Sequence, residues 1–293
     1  MTSPVKRALP ATVIAALLAA PAASAQTPAV PSLSQSPPPI SVGQVVLNAS
    51  AVFAENNQPI RSGLVWRVYE DKGDTSQPTI VGRSSSPTPV FTLVPGNYIV
   101  HVAYGFASTS KRITVQRGSL NERLVISAGA LRLKGAVGDS PIPPSQISFA
   151  IYVPEAQNSE GRLVIANAKA NDIVRLPEGT YHVVSTFGDA NAIMRTDLKV
   201  ESGRVTEATL NHRAATATLK LVASEGGEAF AGTAFSVLTP GGDVIREAIG
   251  AFPSVTLAEG EYVLIARHEG KVYTREFRIE SGLDRDIEII TQP

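Results

Sequence analysis

A six-residue phrase occurs three times in this chain: Leu93-Val94-Pro95-Gly96-Asn97-Tyr98, Leu176-Pro177-Glu178-Gly179-Thr180-Tyr181 and Leu257-Ala258-Glu259-Gly260-Glu261-Tyr262, each Leu-x-x-Gly-x-Tyr. The tyrosines stand 83 and 81 residues apart. That period suits a small β-sandwich and is too long for a solenoid repeat.

The flanks repeat in register with the phrase. Upstream lies an alternating strand pattern with an aromatic at its centre: Leu64/Trp66/Val68, Ile147/Phe149/Ile151 and Thr233/Phe235/Val237. The aromatic precedes the tyrosine by 32, 32 and 27 residues. Downstream, Ile113/Val115, Leu198/Val200 and Phe277/Ile279 lead into Gly118, Gly203 and Gly282, which follow the tyrosines by 20, 22 and 20 residues. Three landmarks kept in register three times imply a triplicated module.

Residues 1–25 read as a secretory signal peptide, with Lys6 and Arg7, an apolar run Ala11 to Ala20, and Ala23-Ser24-Ala25 as the cleavage signal. The apolar run stops at Pro21, short of the roughly 20 residues a membrane span needs. Residues 26–42, with Pro28, Pro31 and Pro37-Pro38-Pro39, read as a Pro/Ser-rich linker of polyproline character, or as a segment for a proline-binding groove. The chain has no cysteine, which excludes disulfides and thiolate chemistry and fits a bacterial periplasm better than a disulfide-dependent extracellular space. Without residues 1–25 the chain carries 24 basic and 26 acidic groups with no run of either sign. Nucleic acid is therefore not an expected partner, and neither is a membrane span after signal cleavage.

The expected organisation is all-β: three tandem Ig-like or transthyretin-like Greek-key β-sandwich modules at 43–128, 129–213 and 214–293, each of roughly seven strands. The opening strands are expected at Val45 to Phe53, Ala130 to Val137 and Thr216 to Ala223. The loop Asp71 to Pro78 is the longest insertion, and Pro240-Gly241-Gly242-Asp243 replaces it in the third copy.

The repeated phrase reads as a tyrosine corner. Leu93, Leu176 and Leu257 would plug the core, Gly96, Gly179 and Gly260 would permit a backbone conformation or a close approach that a side chain would block, and Tyr98, Tyr181 and Tyr262 would return their hydroxyls to upstream backbone. The phrase, followed by alternating hydrophobics and a glycine turn, resembles carboxypeptidase-regulatory-like and other transthyretin-like (prealbumin-type) modules of bacterial exported proteins. That resemblance implies adhesion, spacing or carbohydrate contact in a cell envelope, generally without catalysis. Relatives that form an isopeptide bond join Lys and Asn beside a buried acid, a triad that finds no residue-by-residue match in this sequence.

Catalytic signatures are missing: no Gly-x-Ser-x-Gly elbow, Walker loop, dinucleotide fingerprint or His-Glu-x-x-His occurs. His101, His182, His212 and His268 are not spaced as metal ligands. Glu70, Asp71 and Asp74 crowd one loop without the spacing of a calcium loop. The expectation is thus no enzyme and no cofactor or metal. One surface stands out: Val65, Arg67 and Tyr69 alternate with the core positions of their strand, and His101 projects opposite the tyrosine phase of its own. Arg67, Tyr69 and His101 form a candidate patch for a sugar or peptide. The expected function is that of a periplasmic or secreted, non-enzymatic interaction protein of a bacterial envelope with a protein partner. The alternative is a carbohydrate- or peptidoglycan-binding protein.

Overall fold

The structure is a computed structural model. It describes residues 43–73, 77–156 and 158–291, with backbone alone at 158–160. The expected signal peptide and linker lie outside the described residues, as does Asp74.

Period-two alternation makes each strand half-buried, and burial of the alternate residues closes two sheets on each other. In the first copy these strands are β1 (Val45–Phe53), β2 (Leu64–Glu70), β3 (Thr79–Ser84), β4 (Val90–Leu93), β5 (Gly96–Tyr104), β6 (Ala107–Val115) and β7 (Ser119–Ile126). They form one sheet in the order β4-β1-β7 and another in the order β3-β2-β5-β6. The second copy has β8 (Ala128–Val137), β9 (Ser140–Pro141), β10 (Ile147–Glu155), β11 (Asn158–Lys169), β12 (Ile173–Pro177), β13 (Gly179–Phe187), β14 (Ala192–Val200) and β15 (Val205–Asn211). Its sheets run β12-β8-β15, with β9 beside β8, and β11-β10-β13-β14. The third has β16 (Ala214–Val222), β17 (Thr233–Leu238), β18 (Val244–Gly250), β19 (Ser254–Ala258), β20 (Gly260–His268), β21 (Lys271–Ile279) and β22 (Arg285–Ile290), in sheets β19-β16-β22 and β18-β17-β20-β21.

The protein is therefore an all-β tandem of three sandwiches. In each, the first strand pairs antiparallel with the strand that ends in the corner phrase and parallel with the last: β1 with β4 and β7, β8 with β12 and β15, β16 with β19 and β22. An immunoglobulin sandwich sets its first strand beside its second. Of the two expected topologies, the transthyretin-like one remains. The strands β8 and β16 begin at Ala128 and Ala214, two residues before their expected starts. The small residues Ala128, Gly129, Ala214 and Ala215 carry no apolar alternation, yet they pair with Pro177, Leu176, Ala258 and Leu257.

Each sandwich has its own core, centred on Trp66, Phe149 and Phe235, which are at most 1% exposed. Truncating such a ring costs roughly 3–5 kcal/mol. The cores are separate but the backbone between them is short. Ser127 alone separates β7 from β8, and His212 and Arg213 separate β15 from β16. The side chains of Ala128 and Ala214 each join the core that precedes their strand.

Candidate functional site

The Leu-x-x-Gly-x-Tyr phrase is where the chain crosses from the three-stranded to the four-stranded sheet. Leu93, Leu176 and Leu257 are the last buried core residues of the outgoing strands, and Tyr98, Tyr181 and Tyr262 are the first buried residues of the incoming ones. Each tyrosine hydroxyl donates to the carbonyl four residues back: Tyr98 to Val94 at 2.9 Å, Tyr181 to Pro177 at 2.9 Å and Tyr262 to Ala258 at 2.8 Å. Burial raises the phenol pKa of Tyr98 and Tyr181, with the Glu70 carboxylate adding to the rise at Tyr98. Gly179 and Gly260 have φ of +156° and +158°, a backbone conformation that residues with a side chain rarely adopt. A Cβ at Gly96, Gly179 or Gly260 would meet the following tyrosine ring at 3.6–4.0 Å, which is ordinary contact.

Arg67, Tyr69 and His101 come onto one outer sheet face. Arg67 sits directly across from His101, and Tyr69 from Ile99 one step along. Arg83 flanks Arg67 on the other side. His101 is less solvent-facing than its phase suggests, because its Nδ1 is buried without a hydrogen-bond partner among the described residues. Burial first, and the Arg67 charge second, hold its pKa below the ordinary value. The face combines fixed positive charge with a phenol and a neutral imidazole, a donor-rich surface suited to an anionic or hydroxylated ligand.

The other histidines serve three different local needs. His182 Nδ1 lies 2.8 Å from Asp197 Oδ1 on the outer face of the second sandwich. His268 stacks on Phe230 with centroids 5.2 Å apart, its Nδ1 3.3 Å from Thr233 Oγ1. His212 is buried at 3% exposure against fully buried Ser185, with Nε2 and Oγ 2.7 Å apart, and its ring meets Phe187 edge-on. Burial holds the His212 pKa below its ordinary value, and with the ring also hydrogen-bonded to the Ala192 backbone the neutral imidazole accepts a hydrogen bond from the serine hydroxyl at Nε2. A serine that no solvent reaches is no nucleophile; the pair satisfies two polar groups inside the core. The signal for it was Ser185, a polar residue in the same buried phase as Tyr181 and Val183.

Two junctions join the sandwiches through equivalent parts. At the first, the β5–β6 turn meets β12: Phe106 N–H donates to the Arg175 carbonyl at 3.0 Å, and the Arg175 guanidinium lies 5.1 Å over the Tyr104 ring. At the second, the β13–β14 turn meets β19 and the corner behind it. Asn191 Nδ2 donates to Tyr262 Oη at 2.9 Å, while Asn191 Oδ1 accepts the Ala258 N–H at 3.0 Å. Asp189 pairs with Arg246 across the same boundary. A groove of about 820 Å³ opens beside it, with Gln146, Lys169, Asp172 and Thr256 among its lining residues.

Glu70 pairs with Lys72 at 3.6 Å and Asp71 with Arg112 at 3.2 Å, so these carboxylates serve as surface ion-pair partners. Among the described residues no group of three or more His, Cys, Asp or Glu is placed to hold a metal ion, and no helix is long and apolar enough to cross a membrane.

Residues 216–291, the third sandwich, match the Rhizobiales growth-associated tandem repeat domain. No curated protein matches the chain. Similar solved structures include the Bacillus anthracis TIE protein, at 16% identity and TM-score 0.25, over 83% of this chain and 50% of that one. The chain thus spans half of that protein's length. The major pilin subunit BcpA of Bacillus cereus is similar at 10% identity and TM-score 0.25, over 85% of this chain and 100% of that one. A streptococcal ancillary pilin is similar at 14% identity and TM-score 0.29, over 85% and 99% respectively.

Proposed function

We propose that this protein is an exported, non-enzymatic scaffold of a bacterial cell envelope, periplasmic or secreted, that presents three coupled β-sandwich modules at 43–128, 129–213 and 214–293 to a protein partner. The observation that carries this reading is the use of polar groups at the junctions. Asn191 spends both ends of its amide on the next sandwich, and the backbone and guanidinium of Arg175 engage the turn before it. A short link and directed hydrogen bonds fix spacing and polarity, which is what a scaffold needs from tandem modules. The match of the third sandwich to a growth-associated tandem repeat domain supports a role tied to growth.

The corner residues, with Leu93, Gly96 and Tyr98 and their counterparts, hold structure in this reading. Arg67, Tyr69 and His101 favour a second reading, in which the outer face of the first sandwich contacts an envelope glycan. In-cell crosslinking of the tagged chain in its native envelope, followed by mass spectrometry, tests the pair. Recurrent capture of one or two envelope proteins is expected. Retention on purified sacculi, lost on Arg67→Ala and Tyr69→Ala, with no protein captured, would replace the scaffold by the glycan binder.

A further inference from the structure

The two junctions share one design, and the first sandwich carries the receiving half of it uncovered by any described residue. In the second and third sandwiches the receiving end has three parts. The first is the residue before the corner leucine: Arg175 opposite Ala130, and Thr256 opposite Thr216. A Cβ at Gly105 would stand 2.5 Å from Arg175 Cβ, and one at Gly188 would stand 2.5 Å from Thr256 Cβ. The second part is the glycine turn before the last strand. A Cβ at Gly203 would stand 3.0 Å from the Asn56 side chain, and one at Gly282 would stand 3.7 Å from Val137. The third is a corner N–H that holds the incoming chain: Glu178 donates to the Ser127 carbonyl at 3.1 Å and Glu259 to the Arg213 carbonyl at 2.8 Å.

The first sandwich has the same parts at its own upstream end. Thr92 lies opposite Val46, one residue before Leu93, and is exposed, with Val90 and Val94 beside it at 63% and 58% exposure. No described residue comes within 4 Å of a Cβ at Gly118. A cavity of about 530 Å³ lies at this end, lined by Gln44, Pro95, Arg117 and Gly118 among others. The corner position that binds the covalent link in the other two sandwiches is Pro95, which has no N–H to give. The part of the seat that is specific to a covalently attached neighbour is missing, while the parts that receive a folded one are present.

The identity of the occupant follows from the turn that a seat accepts. Both docked turns place glycine seven residues after the corner tyrosine, Gly105 after Tyr98 and Gly188 after Tyr181, with φ of +63° and +69°. The third sandwich has Glu269 there, so its corresponding turn carries a side chain where the seat has no room. We infer that the upstream end of the first sandwich, around Thr92 and Gly118, is a docking seat for a β-sandwich of another polypeptide whose hairpin turns on a glycine seven residues after its corner tyrosine. This rests on the scaffold reading and names the kind of partner. Association through such a heterologous contact stops at one step, because Glu269 prevents a second copy from continuing the series.

The test places a photocrosslinking residue at Thr92 of the full chain in its native envelope, with Val81, 45% exposed on the other sheet, as the control position. The expected adduct is a peptide from another protein that contains a Leu-x-x-Gly-x-Tyr corner with glycine seven residues beyond the tyrosine. Adducts with residues 26–42 of the same chain, with the Glu269 turn of a second copy, or with nothing beyond the Val81 control would overturn it. A partner captured elsewhere on the chain would leave the scaffold reading standing and sink the seat alone. Purified full chain with Glu269→Gly and Gly270→Phe, which copies the first sandwich's turn, should shift to faster-sedimenting head-to-tail species, and Thr92→Trp should abolish the shift. An unchanged sedimentation profile would show that glycine at this position does not decide docking.

Discussion

The first junction is made by backbone and a guanidinium, whereas the second is made by an asparagine amide and an ion pair. The first turn has two residues between its paired strand ends and the second has four, Gly188 to Asn191. What survives this change of chemistry is glycine at the first turn position. Junction geometry is therefore set by close backbone approach, and the side chains are local solutions built around it.

The most severe way to break that common element is Gly105→Val or Gly188→Val. Both residues have positive φ and would place a Cβ far inside contact distance. Strain and overpacking together should cost roughly 2–4 kcal/mol in each variant. Gly105→Val should cost more, because its nearest neighbours are Arg175 Cβ and the Arg175 carbonyl oxygen at 2.7 Å, both fixed by the backbone, whereas at Gly188 the Thr256 Cβ is fixed but the next two atoms, Oγ1 and Cγ2, can rotate away. Gly270→Val supplies the control, since its φ is +78° but no described atom lies within 4 Å of its Cβ. Denaturant unfolding of the three variants separates clash from strain; equal losses would show that the junctions contribute nothing.

Side-chain deletion should separate the junctions in the opposite order. Asn191→Ala leaves the Ala258 N–H without its acceptor and should cost about 1–3 kcal/mol. Arg175→Ala loses the contact over Tyr104, worth about 1 kcal/mol, and also removes a buried Nε that has no partner among the described residues. Comparable losses in the two variants would contradict the assignment of the second junction to Asn191. The same amide sharpens a smaller comparison at the corners. Tyr98→Phe and Tyr181→Phe should each cost about 1 kcal/mol for one hydrogen bond, and Tyr262→Phe more, because Asn191 also loses its acceptor. Thermal melts of the three single variants read that ranking directly.

What the chain reveals without a structure follows from the range of each signal. Alternation and the corner phrase are local, so the strands around Trp66, Phe149 and Phe235 and the crossings at Tyr98, Tyr181 and Tyr262 are legible. Pairing across more than seventy residues is not, and the parallel match of Val46 with Ser119 leaves no mark in either segment. The same limit left open whether Arg67 and His101 of the candidate patch face each other and hid Ser185 facing His212, since each pair depends on register between two strands or a strand and a link. The docking turns were half legible. Glycine seven residues after the tyrosine is present in two copies and absent from the third, but its meaning needed the neighbouring sandwich in view.

The smallest expected effect is an acid sensitivity confined to one side of the comparison. His212 begins the link into the second junction, and the Ser127 link of the first has no histidine. In the unfolded chain His212 takes up a proton near its ordinary pKa of 6.5, while in the fold burial keeps it neutral to lower pH. Between those two values the unfolded state binds more protons, so stability is full above about pH 6.5 and falls as pH drops toward the folded pKa. His101 has a depressed pKa of the same origin and adds a loss of the same sign in the first sandwich. His212→Gln should flatten part of the stability slope below pH 6.5 and His101→Gln another part, as followed by urea unfolding at a series of pH values. Protonation of His212 would remove the acceptor for the Ser185 hydroxyl at the base of the second junction, so its acid loss should be accompanied by faster hydrogen exchange at Ala192 and Ala214. Exchange that accelerates equally at Ala107 and Ala128 would show that acid loosens both junctions alike and that their difference is confined to static contacts.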